Sequence, residues 1–411
     1  MTQNSRVARI AVPMLAAVSW LIASRAAMAA NLGVFVTSVA GTGDLSSWTQ
    51  AGAHAGLDAG DAICRSLATT ANLPNAGQYV AWLSTTATDA YCHVAGFAGK
   101  VSNQCGQASL PDAGPWFRRD GQPFVRSGLD MLTTGTVLHP IELDELDSKP
   151  VQGNADVWTG TSAGGAGGGA CQDWTSAASD QHANQIGEPV AGFTGWTAWS
   201  GSSCDQPDHL YCFEQGSGDP VPPFEAPGAY AFVTSVTGNG DLGSWPQAGA
   251  ATGLAAGDAI CRSVAASGHL PAPESFVAWL SAPGSPAADR LTVAGPWRRA
   301  DGVEIAPSKT ALISGADLET DLEQNELGAR VAVFAATGSH NNGQPADPTC
   351  NGWTSASAGF SLAGGWSDAA NYFWTEGAGG TCDGAGLHLF CFANVVTIFA
   401  DGFESGDASR W

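Results

Sequence analysis

Ser162 lies in Gly160-Thr-Ser-Ala-Gly164, the G-x-S-x-G spacing that in an esterase presents a nucleophilic serine. That chemistry needs a strand, a sharp turn and then a helix beneath the serine. A glycine-rich run from Gly164 to Gly169 follows instead, and the second half of the chain has no matching serine pentapeptide, so we read a loop. Gly238-Asn-Gly-Asp-Leu-Gly243 has the G-x-G-x-x-G spacing of a dinucleotide site. Its counterpart in the first half is broken at Ser46 and no βαβ unit continues from it, so a compact turn accounts for the glycines.

Two acidic stretches, Glu142, Asp144, Glu145, Asp147 and Asp317, Glu319, Asp321, Glu323, Glu326, carry the oxygen ligands that Ca²⁺ prefers. Neither has EF-hand spacing with its central glycine, and we read both as solvated acidic faces. Twin-carboxylate glycoside hydrolysis would require two acids facing each other across a cleft, a question for the fold. His209 and His388 each precede the last cysteine of their half by three residues. At strand spacing that fits packing with one hydrogen bond rather than a catalytic base. Trp196, Trp199, Trp366 and Trp374 lie in long Gly/Ser-rich regions before the third cysteine of each half, and they are the candidates for an exposed platform that stacks on a sugar or peptide.

These residues sit on a duplicated frame. Val34-Phe-Val-Thr-Ser-Val39 returns as Ala231-Phe-Val-Thr-Ser-Val236, Gly60-Asp-Ala-Ile-Cys-Arg-Ser66 as Gly257-Asp-Ala-Ile-Cys-Arg-Ser263, and Val80-Ala-Trp-Leu-Ser84 as Val277-Ala-Trp-Leu-Ser281. Gly114-Pro-Trp116, Trp174-Thr-Ser-Ala177 and His209-Leu-Tyr-Cys212 return at Gly295, Trp353 and His388. A unit of this size exceeds the repeats of solenoids and propellers, so two tandem domains are expected, at residues 31–214 and 230–393. The Pro/Gly-rich stretch 215–229 reads as a semi-extended linker, and 394–411 as a tail outside the repeat. Within each copy, a β-branched strand, an Ala-rich helix and a second strand precede long loops and a last apolar strand, an α+β order.

The compartment follows from the ends and the charge. Residues 1–29 read as a secretory signal peptide: Arg6 and Arg9, an apolar run from Ile10 to Ile22, and Ala27-Met28-Ala29 before the cut. The run is shorter than the roughly 20 residues that span a bilayer, and Arg25 interrupts it, so no transmembrane span is expected after cleavage. Removing three arginines and no acid moves the formal charge from −22 to −25. Nucleic acid and heparin-like polyanions are excluded as partners, since each needs a basic patch. The expected location is secreted: extracellular, periplasmic or cell-surface, where thiols oxidise.

Cys64, Cys171, Cys204 and Cys212 match Cys261, Cys350, Cys382 and Cys391, while Cys92 and Cys105 are private to copy one. Four cysteines allow three pairings, and spacing does not choose among them. An even count without a C-x-x-C pair argues for structural bridges over zinc.

The series FVTS, Gly41-Thr-Gly-Asp-Leu45, GDAIC, AWLS, GPW, Val157-Trp-Thr-Gly-Thr161, CxxWTS and HLYCFE resembles a bacterial exported domain family of unknown function, itself similar to the endostatin module and the wider C-type-lectin-like fold. The resemblance spans residues 34–214 and 231–393. It implies nested disulfides: Cys64–Cys212, Cys171–Cys204, Cys261–Cys391 and Cys350–Cys382, with Cys92–Cys105 closing the extra loop. Lectin-like folds often hold sugar through Ca²⁺ on a Gln-Pro-Asp triplet. Gln206-Pro-Asp208 is present but misplaced after the third cysteine, and copy two has no equivalent, so no cofactor is expected and Ca²⁺ is kept only as a variant of the reading. The tail Asp401-Gly-Phe-Glu-Ser-Gly-Asp407 with Trp411 resembles a short C-terminal tag on other exported bacterial proteins. The expectation is therefore an exported non-catalytic recognition protein that binds an extracellular carbohydrate or protein through two disulfide-stapled, loop-rich modules. The alternatives are an extracellular hydrolase and a passive envelope component.

Overall fold

The computed structural model describes residues 31–149, 156–192, 194–224 and 226–397. The expected signal segment and the tail motif lie outside them. The fold is mixed α+β, with two sheets and five disulfides. Among the described residues no helix is long and apolar enough to cross a membrane.

The first sheet holds β1 (Leu32–Val36), β2 (Tyr79–Ala81), β3 (Trp116–Phe117), β4 (Val157–Trp158), β5 (His182–Gly187), β6 (Ser200–Ser203) and β7 (His209–Glu214), in the order β3-β1-β7-β4-β5-β6 with β2 also on β7. The second holds β8 (Ala229–Val233), β9 (Phe276–Ala278), β10 (Trp297–Arg298), β11 (Glu304–Ala306), β12 (Phe334–Ala336), β13 (Ser361–Trp366), β14 (Ala378–Thr381) and β15 (His388–Ala393). Their order is β11-β10-β8-β15-β12-β13-β14, with β9 also on β15, so corresponding strands stand in the same order and β11 is additional.

β7 is buried along its whole length because neighbours cover both its edges and both its faces, which is why HLYCFE lacks a polar alternation. Alternation along β1 sends Phe35 to one layer and Val34 and Val36 to the other. The first layer lies under the helix Gly56–Thr70, whose Ala59, Ile63 and Leu67 recur at helical spacing and are buried. Gly60 faces β2 so closely that a Cβ there would come within 2.9 Å of Leu83 and 3.0 Å of Ala81, which explains a glycine in a helix interior. The Cys64–Cys212 bridge pins this helix to β7. The helix Gly253–Ser267 and Cys261–Cys391 repeat the arrangement in the second half.

The two halves meet through a reciprocal contact. Gly192 donates its N–H to the Asp368 carbonyl and Ala370 donates to the Val190 carbonyl, both at 3.0 Å, with Ala191 opposite Ala369. Beside it the acidic stretches are buried, which corrects the expectation of solvated faces. Glu142 lies between Arg118 (3.0 Å) and Lys149 (2.7 Å), and Glu323 between Arg299 (3.6 Å) and Arg330. Arg299, fully buried, also binds Asp321 at 2.8 Å and donates to the Val137 carbonyl of the first half at 2.9 Å. Lys149 reaches Asp317 of the second half at 3.0 Å. Glu145 and Glu326 accept from the backbone N–H of Ser38 and Ser235, each at 2.9 Å, and Asp144 from those of Leu146 and Ser148. Of the two stretches, Asp147 is exposed and the Glu319 side chain is 43% exposed. The sparse basic residues of this acidic chain are placed against these carboxylates, and burial follows from the pairing.

The described stretch 215–224 of the connector does not hang free. Gly114 and Gly216, Gly218 and Gly114, and Val221 and Arg126 are joined by backbone hydrogen bonds, so the connector runs as a strap along the first half, and Ala229 already belongs to β8.

Candidate functional site

The four candidate tryptophans divide into two pairs. Trp196 and Trp374 are each 1% exposed, which corrects their expected place on an exposed platform. Trp196 packs 4.9 Å from Trp82, and Trp374 packs 5.1 Å from Trp279. The residue after each clamps that neighbour: Trp82 Nε1 donates to Thr197 Oγ1 at 2.8 Å, and Trp279 Nε1 to Thr375 Oγ1 at 2.9 Å. Short turns at Gly195–Ala198 and Tyr372–Trp374 fold these rings inward. The repeated Trp-Thr dipeptide was the available sequence signal for a shared core position.

Trp199 and Trp366 are 42% and 38% exposed. Trp366, at the end of β13, pairs with Phe334 on β12 with centroids 5.7 Å apart and planes at 68°. The Phe334 ring overlies bare backbone: a Cβ at Gly364 would stand 2.5 Å from its Cζ, and one at Gly380 would touch the other edge at 3.8 Å. An edge-to-face aromatic pair on a glycine floor presents an angled apolar surface, and the half-exposed Trp366 ring is the part of it on which the CH face of a sugar or an extended peptide can stack. Sequence reasoning found Trp366 but missed Phe334, because a lone Phe carries no signal until register places it.

The first half carries different chemistry at those places. Val157 pairs with Gly187 as Ala335 pairs with Gly365, so Asp156 and Glu188 occupy the positions of Phe334 and Trp366. Burial pushes Glu188 up to about 7, with the Asp156 carboxylate adding to the rise, and Asp156 is itself raised by burial. Asp208 is pushed up to about 6 by burial, with Asp156 contributing. The pair can hold and release a proton near neutrality.

The remaining candidates are structural in their contacts. His209 and His388 donate from Nδ1 to the carbonyls of Thr37 and Thr234, each at 2.6 Å, and burial lowers both. Ser162 lies in a turn closed by Thr161 and Gly167, with its Oγ donating to the Ala166 carbonyl at 2.8 Å and no helix beneath it. Within Gln206-Pro-Asp208, Asp208 is buried and its backbone bridges to Gly41. Among the described residues no three His, Cys, Asp or Glu side chains gather as metal ligands. The bridges are Cys64–Cys212, Cys92–Cys105, Cys171–Cys204, Cys261–Cys391 and Cys350–Cys382, and no cysteine is free.

No protein-family model matches the chain, and neither does any curated protein.

Proposed function

We propose that the chain is an exported, non-catalytic recognition protein made of two modules of the endostatin-like, C-type-lectin-like kind, and that it binds an extracellular carbohydrate or protein through its loops and open sheet ends. The observation that carries this reading is Trp366 against Phe334 on the floor of Gly364 and Gly380. The five disulfides suit an oxidising compartment, and the formal charge of −22 disfavours polyanionic ligands. The test is a glycan and matrix-protein array probed with the secreted chain, with and without Ca²⁺. Binding that falls at least tenfold in Trp366→Ala supports the reading, and a ligand indifferent to that change removes the platform from it.

One observation favours a second reading, an extracellular hydrolase: the adjacent carboxylates Asp156 and Glu188, with Glu188 near 7 in the range of a general acid. A glycosidase panel in which turnover appears and is lost in Glu188→Gln would favour this reading over the first.

A further inference from the structure

Between the two halves, beside the strap, lie two cavities of about 440 Å³ and about 270 Å³. Phe224 and Arg298 line both. The larger has the size of a small-molecule site, and junctions between domains are where such sites concentrate.

Its walls are mixed in a specific way. Phe224, on the strap, is held by Arg126, whose Cζ stands 5.5 Å from the ring centre, and by the edge of His139, with centroids 6.4 Å apart. His139 lines the larger cavity and is 3% exposed. Its Nδ1 donates to the Pro123 carbonyl at 2.9 Å, and burial lowers its pKa to about 4, so the ring is neutral and Nε2 is an acceptor. Gln122 contributes amide donors and an acceptor, and Glu304 and Glu319 contribute carboxylates. Arg298 spends three N–H groups on the Pro227 carbonyl, the Gly302 carbonyl and Glu304, which leaves two of its five donors.

We infer that this cavity is a binding site for a neutral, hydroxyl-rich ring compound, a sugar of one or two rings, stacked on Phe224 and hydrogen-bonded by His139, Gln122 and Arg298. Each hydroxyl both donates and accepts, which matches interleaved acceptors and donors, whereas an anion would meet Glu304 and Glu319 and a purely apolar ligand would strand the polar groups. The site needs the first half, the strap and the second half together. This deepens the carbohydrate form of the recognition reading and rests on it, but it uses none of the Trp366 platform.

The test uses the full secreted chain and saturation-transfer NMR with glucose, galactose, N-acetylglucosamine, maltose and cellobiose as probes. The expected result is transfer to at least one sugar that falls at least tenfold in Gln122→Ala and in Phe224→Ala but persists in Trp366→Ala. Gln122 is exposed and its side chain makes no hydrogen bond among the described residues, so its variant tests the site even if Phe224→Ala loosens the strap. Transfer that survives Gln122→Ala and disappears in Trp366→Ala overturns the cleft site and leaves the platform standing. No transfer to any sugar in the unmodified chain overturns the cleft site, and the protein arms of the array then judge the platform alone.

Discussion

Trp366 stands in the second sheet where Glu188 stands in the first, each one residue past a glycine that pairs with the neighbouring strand, Gly365 with Ala335 and Gly187 with Val157. The same backbone thus offers an apolar face in one half and a titrating acid in the other. Equivalent frames with different end groups fit two different contacts better than two equal ones, so avidity for a single repeated ligand is not what this pairing favours.

Burial separates the tryptophans in stability as well as in role. Trp374→Ala removes a ring that packs on Trp279 and should cost about 3–5 kcal/mol. Trp366→Ala, at a site 38% exposed, should cost under about 1.5 kcal/mol. Urea denaturation of both variants checks the contrast, and equal costs would contradict the assigned burial.

The bridges close loops of very different length. Removing Cys64–Cys212, which spans 148 residues, should cost about 5 kcal/mol by loop entropy, and removing Cys92–Cys105, which spans 13, about 3 kcal/mol. Paired Cys→Ala variants followed by chemical denaturation measure both. A larger loss from the short bridge would mean that packing at the cysteines, not chain entropy, sets the value.

Much of the frame was legible in the residues. The first half of FVTS lies in β1, which ends at Val36, while GDAIC and HLYC lie within the helix Gly56–Thr70 and β7, because each is a local pattern that period and β-branching specify. The acidic stretches were not legible, since a carboxylate's burial depends on which cation arrives from distant sequence, as Arg118 does for Glu142 and Arg299 for Asp321. Nor was the division of the tryptophans: Trp196 and Trp199 are three residues apart, and only the direction of a four-residue turn sends one inward and leaves the other exposed.

Arg299 is the cation on which the junction depends. It is fully buried, and it faces Asp301 at 3.0 Å, Asp321 at 2.8 Å and Glu323 at 3.6 Å. Replacing it with Met keeps roughly the volume but leaves buried Asp321 without its ion-pair partner, and leaves Asp301 and Glu323 to share Arg330. The expected loss is about 3–5 kcal/mol, against less than about 1 kcal/mol for Arg65→Met, whose half-exposed guanidinium stands a long 3.8 Å from Asp61, a carboxylate that also accepts from the Ala81 N–H and pairs with His93. Thermal unfolding of the two variants reads the difference.

The junction should also respond to pH, and in an unusual direction. Glu188 is raised from 4.5 to about 7 by burial and then by Asp156; Asp321 and Asp368 are each raised from 3.8 to about 6, chiefly by burial. A carboxyl with a raised folded-state pKa holds a proton that the unfolded chain has lost. Its contribution is therefore complete below the unfolded value, near 4, and disappears as the pH climbs through 6 and 7. Asp120 and Asp301 work the other way: burial opposes ionisation, but Arg118 and Arg299 outweigh it and lower both, so their contribution is lost only in stronger acid. His139, lowered to about 4 by burial, adds a loss as the pH falls from 6.5 towards 4. Stability should thus peak in mild acid and decline towards pH 8. Glu188→Gln keeps the shape of the protonated acid without its titration. Each pKa unit is about 1.4 kcal/mol, and the partial exposure of Glu188 screens part of it, so the variant should gain on the order of 1–2 kcal/mol at pH 8 and nothing at pH 4. Denaturation curves at the two pH values decide it: a gain of equal size at both would mean that the amide stabilises by packing, and that Glu188 does not hold its proton in the fold.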